Sequence, residues 1–220
     1  SQWLTTWMND VVKLNRATTT AYSYQQIIDN HITPALGNIR LQHLTPAHLQ
    51  EYYATKLREG RISPNTVRKH HDLLNTALKH AVKQGLILDN PTQRVEPPKV
   101  KRPKVHYYSL EQLQTLLSLC EGTRLEVLIK LAGYLGLRRE EIMGLTWSCV
   151  DFEHRQIEIR EVRTMAATQV ITKDPKTESS ARTLYMPDAV VKTLKREQER
   201  QESYRQALGD AYQYSGYVFT

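Results

Sequence analysis

At 220 residues the chain fits one large domain or two small ones, and 40% hydrophobic residues suffice to pack a core at that length. No apolar run approaches the length of a bilayer span and no signal-like segment opens the chain, so a membrane protein is excluded and a cytoplasmic setting is expected. The net charge of +7 is localised: residues 61–105 hold ten Lys or Arg against three Asp or Glu, whereas residues 1–60 balance at +1 and residues 106–220 at −1. A confined positive band is the footprint of a polyanion partner, although a solvated helix face with a basic linker would also produce it.

In chain order, Trp3, Leu4, Trp7, Met8, Val11 and Val12 form a helical stripe over residues 2–12. The threonines of "ATTT" open a second helix over 17–31, with Ala21, Tyr24, Ile27 and Ile28 on one face. "TPALGN" at 33–38 reads as a breaker. Thr45-Pro46 and Ser63-Pro64 each place a capping hydroxyl before a first-turn proline. They predict helices to about Glu59, before Gly60, and to about Gln84, before Gly85. Four helices with short connections imply a bundle over 1–88. Four prolines between 89 and 106 predict an extended basic linker. Ser109 and Gln112 form a capping box for the next helix, and another runs from about 124 to Gly136. A shorter helix then reaches about Trp147. After Asp151 the period falls to two, and "QIEIREV" (156–162), "TQVIT" (168–172) and "RTLYM" (182–186) predict a three-stranded antiparallel sheet. Asp188 opens a long last helix to about Leu208.

Two cysteines are too few for a disulfide framework or zinc site, and no histidine falls in a ligand spacing, so no metal is expected. In "GLRREEIMGL" (136–145), Arg138 and Glu141 are three apart and share one side of a helix entry. Taken alone, that fits a plain ion pair at a helix junction. Lys176 in "KDPKTESSARTLYMP" (173–187) lies in a polar turn between two strands. There a lysine serves solubility, or reaches into a groove and donates a proton beside a phosphodiester.

The combination is more specific. Gly-Leu-Arg-x-x-Glu-x-x-x-Leu-x-Trp, then Asp151 and a strand, then Lys-Thr-x-x-Ser-x-Arg before a further strand, resembles the tyrosine recombinase (phage integrase) family. With the helical front part and "GLILDNP" ahead of a basic linker, the likeness is to integrases of phages and conjugative transposons of Gram-positive bacteria, and it covers nearly the whole chain. The resemblance implies a mainly α chain with a small antiparallel sheet. It implies a four-helix, SAM-like core-binding domain (1–88), the linker (89–106) and the N-terminal half of an α+β catalytic domain (107–220).

By the same resemblance Arg138 is the first catalytic arginine, gripping the scissile phosphate, and Glu141 its orienting acid. Lys176 is the proton donor to the leaving 5′-oxygen, with Lys173 as rival. The family cuts DNA through a 3′-phosphotyrosine without metal or nucleotide, so no cofactor is expected. It works as dimers and tetramers on double-stranded DNA. DNA contacts are expected from Thr18, Thr19, Thr20, Tyr22 and Ser23 at the second helix start. Further contacts are expected from Asn65, Thr66, Arg68, Lys69 and Lys79 on the long helix, and from Lys99, Lys101, Arg102 and Lys104 in the linker, beside Lys173.

The second half of the family pattern is a His-x-x-Arg, a further His or Trp and the tyrosine nucleophile. No histidine follows Lys176, and none of the eight precedes an arginine by three residues. The chain, which opens at Ser1, is therefore expected to be part of a longer recombinase and unable to cleave by itself. Two other readings stay open: a DNA-binding module that occupies attachment sites without catalysis, and an RNA-binding helical protein.

Overall fold

The structure, a computed structural model, describes residues 2–100, 104–173 and 181–219. The chain divides into two compact units, Ser1–Val105 and His106–Thr220.

The first unit is helical. Helix α1 comprises Gln2–Trp7, a π-turn at Met8–Val12 and Lys13–Asn15. Helix α2 comprises Thr18–Ile27, a π-turn at Ile28–Ile32 and Thr33–Leu36. The break expected within 33–38 falls at Gly37, after Pro34 and not before it. A proline inside an α-helix collides with the carbonyl four residues back. Here the Thr33 N–H bonds to the Ile28 carbonyl, five back, and this widened turn lets the helix pass through Pro34. Helix α3 (Pro46–Glu59) starts at Thr45, whose hydroxyl accepts the His48 N–H, and stops at Gly60 with φ +64°. Helix α4 (Pro64–Lys83) starts at Ser63, whose hydroxyl accepts the Thr66 N–H. Trp7, Met8, Ile32, Leu49, Val67 and Ala77 are among the side chains buried where these four helices meet.

Ring contacts fix how α2 lies along α4. His31 stacks on His70 at 4.9 Å, while Trp7 lies 6.0 Å from Tyr24 and 6.3 Å from His80. Numbers rise along α2 as they fall along α4, so the two run antiparallel. The proline-rich segment expected to be extended is folded at its start. A 3-10 turn at Pro91–Arg94 sits on α4, where the Asn75 side-chain oxygen accepts from Asn90 (2.9 Å), Thr92 (3.0 Å) and Gln93 (2.8 Å).

Two tyrosine–histidine pairs lock α3 to α4: Tyr52 Oη to His70 Nδ1 at 2.9 Å and Tyr53 Oη to His71 Nδ1 at 3.1 Å. Burial first, then His31 and Lys56, depress the His70 pKa from 6.5 to about 4.

In the second unit, α5 (Leu110–Leu119) carries the Ser109–Gln112 capping box, and α6 (Glu126–Leu135) ends at Gly136 with φ +63°. Helix α7 (Arg139–Gly144) is shorter than expected, with a 3-10 turn at Trp147–Cys149 after it. The strands are β1 (Val150–Asp151), β2 (Gln156–Ile159), β3 (Val162–Ala166), β4 (Gln169–Lys173) and β5 (Arg182–Tyr185). They do not make one three-stranded sheet. Strands β1, β2 and β5 pair in that order, all antiparallel, and β3 and β4 form a separate hairpin. "QIEIREV" is interrupted at Arg160–Glu161, where the backbone passes close over α7: a Cβ on Gly144 would lie 2.7 Å from the Glu161 carbonyl oxygen. Helix α8 (Asp188–Leu208) covers the core of Leu131, Ile142, Ile157, Ile159 and Met186. Val218, fully buried, donates its N–H to the Leu145 carbonyl at 2.9 Å, and Gln201 holds the Val218 carbonyl at 3.0 Å.

His70, with His71 shifted down by burial in the same sense, supplies the acid-side pH dependence of the first unit. Its folded pKa lies below its unfolded one, so between 6.5 and about 4 the unfolded chain binds more protons and stability falls as pH falls. Urea unfolding of the first unit should show a loss of about 2 kcal/mol between pH 7 and pH 5, absent at pH 8 against pH 7.

Candidate active site and nucleic-acid interface

Gly136 takes the left-handed turn that ends α6, and Leu137, only 5% exposed, anchors the chain in the core. The next residue, Arg138, therefore emerges at the mouth of α7 with its side chain 75% exposed. Glu141, one turn on, is on the buried side, its side chain 3% exposed.

Four N–H groups converge on the Glu141 carboxylate. The Arg138 backbone donates to Oε2 at 2.8 Å and its Nη1 to Oε1 at 3.0 Å. From β5, Arg182 adds a two-pronged grip, Nη1 to Oε1 and Nη2 to Oε2, each at 3.0 Å. The hydrogen bonds from Arg182 lower the Glu141 pKa most, burial opposes them, and Arg138 reinforces the fall to about 2. Two guanidinium groups around one carboxylate leave a net positive charge. Among the described residues Arg138 Nε and Nη2 make no hydrogen bond, so this arginine keeps a fork for an external anion.

The structure brings Arg138 and Glu141 together as expected. Lys176, Lys101 and Arg102 lie outside the described residues. Lys173 closes β4 opposite Val162. The strands on either side of Lys176 do not pair with each other, since β4 joins β3 and β5 joins β2. Arg182, quoted in the Lys-Thr-x-x-Ser-x-Arg motif but given no role, is the residue missed. Its signal was period two: Arg182 falls on the same side of its strand as Leu184 and Met186, and an inward arginine needs a buried carboxylate.

In the first unit Thr18, Tyr22 and Ser23 are exposed and Thr19 and Thr20 half-buried, all at the start of α2. Asn65 and Thr66 are half-buried at the start of α4, Lys69 is exposed, and Arg68 is ion-paired to Asp72 at 3.1 Å. Because α2 and α4 are antiparallel, these two groups sit towards opposite ends of α4, about 25 Å apart at 1.5 Å per helical residue. Lys79 belongs to the threonine end. Lys99 and Lys104 are exposed. Among the described residues no cluster of His, Cys, Asp or Glu is placed to hold a metal, and no helix is long and apolar enough to cross a membrane.

A helical first unit followed by an α+β unit that presents Arg138 beside a buried acid agrees with the integrase pattern read from the sequence motifs. The chain belongs to the phage integrase family: residues 107–219 match that family and residues 1–57 match the phage integrase N-terminal SAM-like domain. It is 26% identical to a tyrosine recombinase XerC-like protein of Caldanaerobacter subterraneus subsp. tengcongensis, over 98% of this chain and 60% of that protein. It is 25% identical to the ICEBs1 integrase of Bacillus subtilis, over 88% of this chain and 53% of that one. The chain thus spans 60% or less of these curated relatives. The structure of the Tn1549 transposon integrase in complex with a circular intermediate DNA superposes with a TM-score of 0.78 at 20% identity, covering 98% of this chain and 68% of that one. A lambda integrase dimer bound to a core site gives 0.66 at 15% identity, covering 100% and 69%.

Replacing Glu141 with alanine removes the carboxylate that Arg138 and Arg182 share. Chemical denaturation at pH 7 should show the second unit weakened by about 3 kcal/mol. Stability from this depressed carboxyl is present above its ordinary pKa of 4.5 and lost as pH falls towards 2. The gap between wild type and Glu141→Ala should therefore narrow at pH 3.

Proposed function

We propose that the chain carries the DNA-gripping unit and the first half of the active site of a site-specific tyrosine recombinase of a mobile element. The observation that carries this reading is the unsatisfied Arg138 fork held by a buried, doubly paired Glu141. A guanidinium with two free N–H groups in one plane matches the non-bridging oxygens of a phosphodiester. The charge it meets grows as phosphorus becomes five-coordinate, so the contact favours the transition state over the ground state.

In the intact protein a tyrosine hydroxyl gives its proton to a general base and attacks phosphorus, the bond to the 5′-oxygen breaks, and the leaving oxygen takes a proton from Lys176, with Lys173 as the alternative donor. The phosphotyrosine keeps the bond energy, and the reverse attack by a 5′-hydroxyl on a second duplex completes the exchange. Strand exchange between two sites needs four such centres, hence dimers that become a tetramer on DNA. Relatives of this fold are seen bound to DNA, including a lambda integrase tetramer bound to a Holliday junction.

The first unit supplies phosphate contacts from both ends of α4, and Lys99, Lys101, Arg102 and Lys104 follow the backbone beyond it. With no His-x-x-Arg in its 220 residues, this chain binds duplex DNA without cutting it.

Two measurements test the reading. Replacing Arg68 and Lys69 together with alanine should weaken binding to duplex DNA and flatten the plot of log affinity against log salt by about 1 to 2; an unchanged slope removes these residues from the interface. Incubation with a nicked suicide substrate should give no covalent protein–DNA adduct on a denaturing gel. An adduct would mean that a nucleophile lies within these 220 residues.

A further inference from the structure

Arg182 does more than satisfy a buried acid. A carboxylate has about four lone-pair positions, and Glu141 uses all of them: two for Arg138 and two for Arg182. Had Arg138 been the only cation in reach, its guanidinium would satisfy Glu141 with two prongs. Its charge would then be cancelled and its fork consumed. Arg182 occupies those sites instead, and the Arg138 guanidinium reaches the carboxylate through Nη1 alone.

The position of Arg182 adds a mechanical consequence. It is the first residue of β5, opposite Ile159 of β2, six residues beyond Lys176. At the other end of that connection Lys173 is paired with Val162, the residue against which Gly144 of α7 packs. Lys173 and Arg182 are thus each registered against the short helix that presents Arg138.

We infer that Arg182 is a positioning residue of the recombination site: by neutralising Glu141 it keeps the charge and the free fork of Arg138 available for phosphate, and it ties the start of β5 to the Arg138 turn. The inference rests on the proposed function and deepens it. Arg182 touches no substrate in this scheme and acts through Glu141.

The test uses the 220-residue chain and a random-sequence duplex oligonucleotide, with affinity followed by fluorescence anisotropy over a range of NaCl. Arg138→Ala should flatten the salt slope by about 0.9, the share of one phosphate contact. Arg182→Met keeps the aliphatic stem and removes the charge. It should flatten the slope by the same amount, and the double variant Arg138→Ala/Arg182→Met should be no flatter than either single one. Arg182→Lys restores the charge without the fork and should recover most of the slope, which a packing role alone would not predict. Should Arg182→Met melt below the assay temperature, Arg182→Gln takes its place.

An Arg182→Met slope equal to wild type, beside a reduced Arg138→Ala slope, overturns the inference and leaves the functional reading standing. Failure of Arg182→Lys to recover what Arg182→Met loses also overturns it. If Arg138→Ala leaves the slope unchanged, the functional reading itself falls.

Discussion

One buried carboxylate organises the second unit. Glu141 is almost wholly out of water, and an unpaired charge there would be prohibitive. Two arginines from elements far apart in sequence make it affordable, and each is fixed in return. Arg138 is held at a helix mouth, and Arg182 holds the start of β5. The surplus of one cation over the acid gives the cluster its chemical character. A surface arginine without such a partner would sample many rotamers, and a buried pair of equal charge would attract nothing.

The two units meet the problem of interior polarity differently. In the first, neutral pairs do the work, with phenol and imidazole sharing a hydrogen bond in the dry seam between α3 and α4, so its net charge is left to the surface. In the second, charges are buried but never alone. Glu126 accepts from Lys130, Thr193, Arg196 and the Gly122 N–H, and Glu197 accepts from Arg200 and Gln201. Gln201 passes this network on to Trp147 and to the Val218 carbonyl, which ties α8 to the segment after α7. Such networks specify one arrangement, since any slip leaves a charge without its partner.

Helix limits were legible wherever local chemistry decides them. Thr45 and Ser63 before prolines, the Ser109–Gln112 box and the glycines at 60, 85 and 136 mark ends that the backbone would choose in isolation. Pro34 misled because a π-turn upstream changes which carbonyl the ring would meet, and no pattern of side chains announces that register. Strand pairing was illegible for another reason. Short alternating segments fit several partners equally well, and the choice between β3 and β5 as neighbour of β4 is made by packing of α7 against Glu161 and Val162. In the site, Arg138 and Glu141 could be paired from their spacing. Arg182 could not, because its partner lies 41 residues away and only the tertiary fold joins them.

The tyrosine–histidine seam has a bearing on where the first unit can work. A polyanion draws hydrogen ions around itself as it draws sodium, so the microenvironment at a duplex is more acidic than the bulk. An imidazole of ordinary basicity inside a module pressed against such a surface would gain a proton on docking and loosen the interior. With burial holding His70 near 4, the helical unit could rest in that acidic sheath with its centre still uncharged.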